Sequence, residues 1–185
     1  MATAYDRVPD EVNKMIAGVM KEYHGELEAA GVTLQVLWAF SYDADGEPVP
    51  AMKVRGHIAL AKTSVTSLPD RVRGLPDAKI VIDREFGWNR FSETRRLALI
   101  DHEITHLTLV LDRDGNVRAD DLGRPKLRLR NHDWELTGFA EVAERHGEAA
   151  IEVHEMVRWQ EERGQTCLFP FPIQGVVKNL LSEQR

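Results

Sequence analysis

Two histidines and one glutamate supply the clearest chemistry in this sequence, within the segment Asp101-His102-Glu103-Ile104-Thr105-His106. His102 and His106 are four residues apart, so a helix would carry both imidazoles on one face, where they can share a metal ion. Glu103 would then lie next to a water molecule bound to that metal. The spacing therefore predicts a two-histidine metal site with a carboxylate placed to act as a general base.

The residues around this segment favour a helix that turns its histidines toward a cleft. On a helix over residues 91–112, five aliphatic side chains gather along one stripe: Leu97, Ile100, Ile104, Leu107 and Leu111. The two histidines fall on roughly the opposite side. Ser92 is the predicted N-cap, and Glu93 falls in the first turn, where the helix dipole favours an anion. The alternative is a surface helix that carries two solvated histidines by chance.

The chain has 185 residues, a net charge of −6 at pH 7 and a single cysteine, Cys167. This length fits one domain with a sizeable core, which we assign to residues 1–162, followed by an apolar tail at 163–185. One cysteine cannot form an intramolecular disulfide, as is typical of a reducing compartment. No signal segment or membrane span is recognisable, so a cytoplasmic protein is expected. The negative charge argues against a generally basic nucleic-acid binder.

The chain before residue 91 predicts one helix and three strands. Residues 9–30 have helical apolar periodicity, and Gly31 is placed to end that helix. The predicted strands, rich in β-branched and aromatic residues, are 32–42, 54–63 and 79–83. His24 and His57 are interpreted as packing or edge histidines rather than metal ligands.

Two acidic loops contain a glycine, at residues 43–46 and 112–116. Neither has the full ligand spacing of an EF-hand, which ends in a glutamate. Both loops are therefore predicted to be turns rather than calcium sites.

Beyond the histidine helix, residues 125–130 alternate strictly between polar and apolar side chains. As a strand, this segment would place Lys126, Arg128 and Arg130 on one face. One interpretation is a charged edge strand that discourages aggregation. The other is a basic wall near the cleft that contacts an acidic substrate or makes a weak nucleic-acid contact. Two further helices, up to residue 147 and over 148–163, are predicted after it.

A third metal ligand must come from the residues after the histidine helix, and five have suitable side chains: His132, Glu135, Glu141, His146 and His154. Glu135 and Glu141 fall within a predicted helix, whereas His132 precedes it and directly follows the basic strand. We predict His132, with Glu141 as the alternative, since imidazole suits zinc and three neutral ligands leave the site with a charge of +2.

The element order and the motif His102-Glu103-x-x-His106, followed by His132-Asp133-Trp134, resemble the zincin fold. The chain is most similar to small metallopeptidases of phages and bacteria, which are related to the SprT/Spartan-like zinc proteases. The resemblance covers about residues 9–147. It implies an α+β fold with an N-terminal helix, a short mixed sheet of three to four strands, the motif helix and C-terminal helices. It also implies a histidine as third zinc ligand, which His132 matches.

Such a protein is expected to hydrolyse peptide bonds with a zinc-activated water, and Glu103 is expected to be the general base. Asp133 is a candidate to orient a ligand imidazole, and Arg124, Arg128 and Arg130 are candidates to stabilise an oxyanion. The strand near residues 80–82 is predicted to pair with an extended substrate. The alternative function is a non-catalytic zinc-binding protein that engages a host or regulatory partner.

Overall fold

The computed structural model describes residues 2–54, 57–132 and 138–154. The chain divides into two units, Met1–Asn131 and His132–Arg185. Helices and a small mixed sheet occur together, as expected for the α+β class. The predicted boundary after residue 162 and the tail at 163–185, including Cys167, lie outside the described residues.

A mixed sheet organises the first unit. The strands up to residue 83 are β1 (Ala4–Arg7), β2 (Leu34–Tyr42), β3 (Pro48–Val49), β4 (Lys53–Val54), β5 (His57–Ile58), β6 (Ala61–Val65) and β7 (Ala78–Asp83). The sheet has the order β1-β2-β7-β6, and β3 pairs with β2. β2 and β7 are parallel, whereas the other pairs of this sheet are antiparallel. β4 and β5 form a separate two-stranded sheet.

β7 lies inside the sheet, between β2 and β6. Its run Ile80-Val81-Ile82 is buried throughout, as is typical of a strand whose two faces are both covered. The predicted pairing of residues 80–82 with a substrate is therefore wrong, because both sides of β7 already have backbone partners. In the described part of the chain, β6 is the strand at that end of the sheet.

The predicted strand 54–63 is wrong as a single element, because this segment contains the end of β4, all of β5 and the start of β6. The bend before β6 packs closely on another part of the backbone. The Leu60 carbonyl accepts a 2.8 Å hydrogen bond from the Asp83 N–H, and Gly87 lies so close to Leu60 that a Cβ there would collide with its carbonyl. β1 was not predicted, since all four of its residues are exposed and no apolar alternation marks it.

In the described part of this unit, four α-helices accompany the sheet: α1 (Asp10–Tyr23), α2 (Gly25–Ala29), α3 (Leu68–Val72) and α4 (Glu93–Thr105). The single helix predicted at 9–30 is two helices, because His24 leaves the helical conformation at φ −130° and ψ 45°. The predicted apolar face of α1 is confirmed at Val12, Ile16, Val19 and Met20, which are buried. This face is consistent with the packing of α1 against α4.

α4 carries the predicted motif and begins as expected at the Ser92 N-cap, whose hydroxyl accepts a 3.4 Å hydrogen bond from the Arg95 N–H. Every residue from Ala98 to Thr105 is buried. The last two turns therefore lie within the core on all sides, rather than along one apolar stripe. The helix ends at Thr105 and not at residue 112, because the chain enters a strand at Leu107.

A three-way β junction follows α4. β8 (Leu107–Leu109) pairs with β9 (Leu127–Leu129), which confirms a strand in the basic segment, and the chain between them folds into two hairpin arms. Three backbone hydrogen bonds of 2.8 Å close a ring at the centre. The Val110 N–H donates to the Lys126 carbonyl, the Lys126 N–H to the Arg118 carbonyl, and the Arg118 N–H to the Val110 carbonyl.

The same turn occurs three times in this unit, starting at Asp43, Asp112 and Asp120. In each turn the aspartate Oδ1 accepts hydrogen bonds from the N–H groups two and four residues further on. The glycine at the fourth position has a positive φ of 85° at Gly46, 85° at Gly115 and 74° at Gly123. Both predicted acidic turns are thus confirmed, and a third is added.

The buried side chain of Arg71 contacts both the β junction and Asp77, which precedes β7 of the sheet. Arg71 Nη1, on α3, lies 2.8 Å from Asp120 Oδ2 and 3.0 Å from the Pro125 carbonyl. The same nitrogen lies 3.4 Å from Asp77 Oδ1, which also contacts Arg124 Nη2 at 2.8 Å. Burial opposes ionisation of Asp120, but Arg71 and two backbone N–H groups outweigh it and hold its pKa below the ordinary value.

In the second unit, α5 (Ala140–His146) ends at Gly147, which has a φ of 52°. The small hydrophobic core of this unit contains four buried residues: Phe139, Val142, Ala143 and Ala150. Residues 151–154 are helical, which agrees with the start of the helix predicted at 148–163. Across the ranges described above, no helix is long and apolar enough to cross a membrane.

Candidate metal centre

The final turn of α4 presents His102 and Glu103, and His106 is the C-cap residue. His102 and Glu103 are 8% and 4% exposed, whereas His106 is half-buried. The two imidazole rings lie 5.1 Å apart between centroids and are inclined at 79°. The i, i+4 spacing thus brings both rings to one side of the helix end, as predicted, even though the helix stops between them.

The backbone of Arg130 fixes the orientation of His106. The Arg130 N–H donates a 2.7 Å hydrogen bond to the His106 carbonyl, and the His106 Nδ1 lies 2.9 Å from the Arg130 carbonyl. A carbonyl oxygen can only accept, so Nδ1 must carry the hydrogen. The neutral ring then presents the lone pair of Nε2, which is the form a metal ligand requires.

His132 lies two residues beyond Arg130 in the chain. His102, His106 and His132 each offer one ring nitrogen, and these three atoms lie within 4.8 Å of one another. Two nitrogen ligands of one tetrahedral zinc ion are roughly 3.4 Å apart, so small side-chain rotations would complete the site. Three imidazoles are a donor set suited to a transition-metal ion such as zinc.

Among the described residues, the other candidates for the third ligand, Glu141, His146 and His154, do not join this group. Glu141 lies 3.3 Å from Arg145 in an i, i+4 ion pair on α5. His146 is half-buried at the end of α5, and His154 is exposed. Glu135 and Asp133 lie outside the described residues. Within the described ranges, the group of side chains that could hold a metal ion consists of His102, His106 and His132.

Glu103 has a contact that the sequence did not indicate. The hydroxyl of Thr63, on β6, lies 2.6 Å from Glu103 Oε2 and 2.9 Å from the Glu103 carbonyl. Both residues are buried, so water competes little for these hydrogen bonds. Because the hydroxyl has one hydrogen, the side-chain and backbone oxygens of Glu103 share it as acceptors.

A second buried contact anchors the helix one residue before the motif. His24 Nε2 lies 2.7 Å from Asp101 Oδ1, and the two residues are 5% and 0% exposed. His24 terminates α1, so this contact joins the end of α1 to the last turns of α4. The sequence correctly predicted a packing role for His24 but did not identify Asp101 as its partner, because 77 positions separate them.

The candidate oxyanion residues have different surroundings. Arg124 is engaged elsewhere, since its Nη2 contacts Asp77 at 2.8 Å and its Nη1 donates to the Leu75 carbonyl at 2.9 Å. Arg128 is exposed on β9, and Arg130 is exposed one residue beyond that strand. His57 is exposed on β5, which agrees with its interpretation as a surface histidine.

Comparison with known protein families gives one match, over residues 4–160, to the family described as "Putative phage metallopeptidase". No curated protein and no solved structure matches the chain. The matched residues include the three histidines and Glu103.

Proposed function

Since the chain belongs to the phage metallopeptidase family named above, we propose that it is a zinc-dependent peptidase with a zincin-like, SprT-related catalytic unit. The observation that carries the proposal is the group of three imidazole nitrogens within 4.8 Å of one another, with the buried Glu103 directly after His102 in the chain. A purely structural metal site would not require a base beside its ligands.

The proposed ligands are His102, His106 and His132. When bound, a zinc ion would supply a Lewis acid for the substrate carbonyl and lower the pKa of a bound water toward neutrality. The Nδ1–H of His106 is held by the Arg130 carbonyl, which would leave the Nε2 lone pair available to a metal ion and raise the basicity of Nε2.

Glu103 is the proposed general base. Its carboxylate accepts a proton from the attacking water and later donates it to the leaving amine. The hydroxyl of Thr63 contacts Oε2 and so fixes the orientation of the carboxylate. A carboxylate held in one orientation loses little entropy on reaching the transition state.

The substrate is proposed to bind as an extended strand along β6. In the described part of the chain, β6 pairs with β7 and has no second strand partner, although β9 approaches it. Thr63 lies on β6, so this edge is next to Glu103. Backbone pairing along an edge strand gives affinity for many sequences and would place a peptide bond close to the base.

The test is Glu103→Gln, an isosteric change that removes the base. We expect cleavage of a peptide library to stop, while zinc stoichiometry and melting temperature remain those of the native protein. Glu93→Gln, in the exposed first turn of the same helix, is the matched control and should retain activity. If the native zinc-loaded protein cuts no peptide, or if Glu103→Gln cuts as fast as the native protein, the peptidase proposal fails.

A further inference from the structure

The β junction carries a row of exposed cations that we call the basic face: Arg118, Lys126, Arg128 and Arg130. The first three form no hydrogen bond or ion pair through their side chains within the described ranges. Most other arginines of this unit contact carboxylates, backbone carbonyls or aromatic rings, as Arg71 and Arg84 do. Arg118, Lys126 and Arg128 thus carry charges that make no contact within the described part of the fold.

The register of the junction explains why these four cations belong together. Lys126 and Arg118 are joined by a backbone hydrogen bond in the central ring, so their side chains leave the same side of the junction. Arg128 and Arg130 follow Lys126 at two-residue intervals along the strand, which keeps them on that side. The alternation of residues 126–130 was visible in the sequence. Arg118 is recognised as a member of the basic face only from the ring of three backbone hydrogen bonds.

The basic face leads directly to the candidate metal centre. Arg130 is joined to His106 by two hydrogen bonds. Lys126 and Arg130 are four positions apart, which is about 13 Å of extended chain. A polypeptide that lies along this face would therefore extend from the junction to the metal ligands.

We propose that the basic face binds an acidic segment of the protein substrate, adjacent to the bond that is cut. This inference rests on the peptidase function proposed above and specifies its substrate class. The face spans about as far as four residues of extended peptide, which suits a short acidic stretch.

Nucleic acid fits this surface less well. The turns next to the face carry Asp112, Asp114 and Asp121, which would repel a long polyanion, and the chain has a net charge of −6. The four residues of the face include no aromatic side chain on which a base could stack. A short acidic peptide avoids the turn carboxylates, whereas a duplex would have to pass them.

The test compares two peptides that share one cleavage site, with four glutamates or four glutamines on the flank. The variant Arg118→Glu/Lys126→Glu/Arg128→Glu leaves Arg130 in place, since its backbone holds His106. The matched control, Arg7→Glu/Lys14→Glu/Lys21→Glu, reverses three exposed charges outside the basic face and changes the net charge equally. Zinc content and melting temperature are measured for both variants.

We expect the native protein to prefer the glutamate peptide in kcat/KM, with a preference that falls as salt is added. The ratio of the two kcat/KM values should fall about tenfold in the basic-face variant, mainly through KM, and remain native-like in the control. An unchanged ratio overturns the inference. Loss of salt-dependent binding to a DNA duplex, with no change in that ratio, also overturns it and assigns the face to nucleic acid.

If no peptide is cut, the peptidase proposal fails, and the inference is then decided by binding. Fluorescence anisotropy of the labelled glutamate peptide should show tighter binding to the native protein than to the basic-face variant. Equal affinity for both proteins overturns the inference.

Discussion

Thr63→Val is the most informative single substitution in the candidate site. It replaces a buried hydroxyl by a methyl group of the same shape, so packing on β6 is kept while two contacts to Glu103, of 2.6 and 2.9 Å, are lost. A hydrogen bond to a charged group contributes about 1.5–3 kcal/mol. If the hydroxyl positions the general base, kcat should fall about 10- to 100-fold with little change in KM.

The assay is steady-state cleavage of one peptide by zinc-loaded protein, with zinc stoichiometry measured in parallel. Thr63→Ser retains the hydroxyl and should recover most of the lost kcat. Ser64→Ala, the neighbouring position on β6, is the control, because its hydroxyl makes only a 3.4 Å contact with the Lys79 carbonyl. A Thr63→Val protein with native kcat but lower unfolding free energy would refute the positioning role and leave Thr63 as a helix-end contact.

Three further outcomes are expected. His132→Ala should lose most of the bound zinc and Glu141→Ala should keep it, as measured by metal analysis of purified protein; the opposite result would assign the third ligand to Glu141. His24→Ala should lower the unfolding free energy of zinc-free protein by about 2–4 kcal/mol in chemical denaturation, since it leaves a buried carboxylate without its imidazole partner. Hydrogen bonds led by the Asn116 N–H lower the pKa of Asp112, and Arg71 lowers that of Asp120 against the effect of burial, both from 3.8. Both groups therefore stabilise the fold above pH 3.8, and this contribution is lost as the pH falls through their lower folded values. Asparagine at these positions should flatten the acid limb of a pH–stability curve, and an unchanged limb would contradict the assignment.

The motif and its start were predictable because they depend on local spacing. Ser92 caps α4 as a serine before an amphipathic run should, and the acidic turns followed from Asp and Gly at fixed intervals. The C-terminal end of α4 was not predictable, because Leu107 and Leu111 continue the helical period but are taken by the β junction. Tertiary pairing there overrides local preference.

The contacts that support Glu103 and the basic face could not be predicted from the sequence, for a different reason. Thr63 and Glu103 are 40 positions apart, and no spacing rule connects a strand threonine with a helix glutamate. Arg118 joins the basic face only through the ring of three hydrogen bonds. A single sequence contains alternation along a strand but not the register between strands. The grouping of the two motif histidines was thus predictable from spacing, whereas the contacts around them were not.

The pair of hydrogen bonds between His106 and Arg130 has a consequence for how the chain can change in length. These residues are 24 positions apart, and the bonds between them close everything in between into a loop. Because the cost of closing a loop grows only with the logarithm of its length, doubling this loop would cost about 0.6 kcal/mol. Insertions at the exposed turns around Gly115 and Gly123 should therefore leave the histidines in place. The arms of the β junction can therefore grow at their exposed turns while the candidate metal centre stays the same.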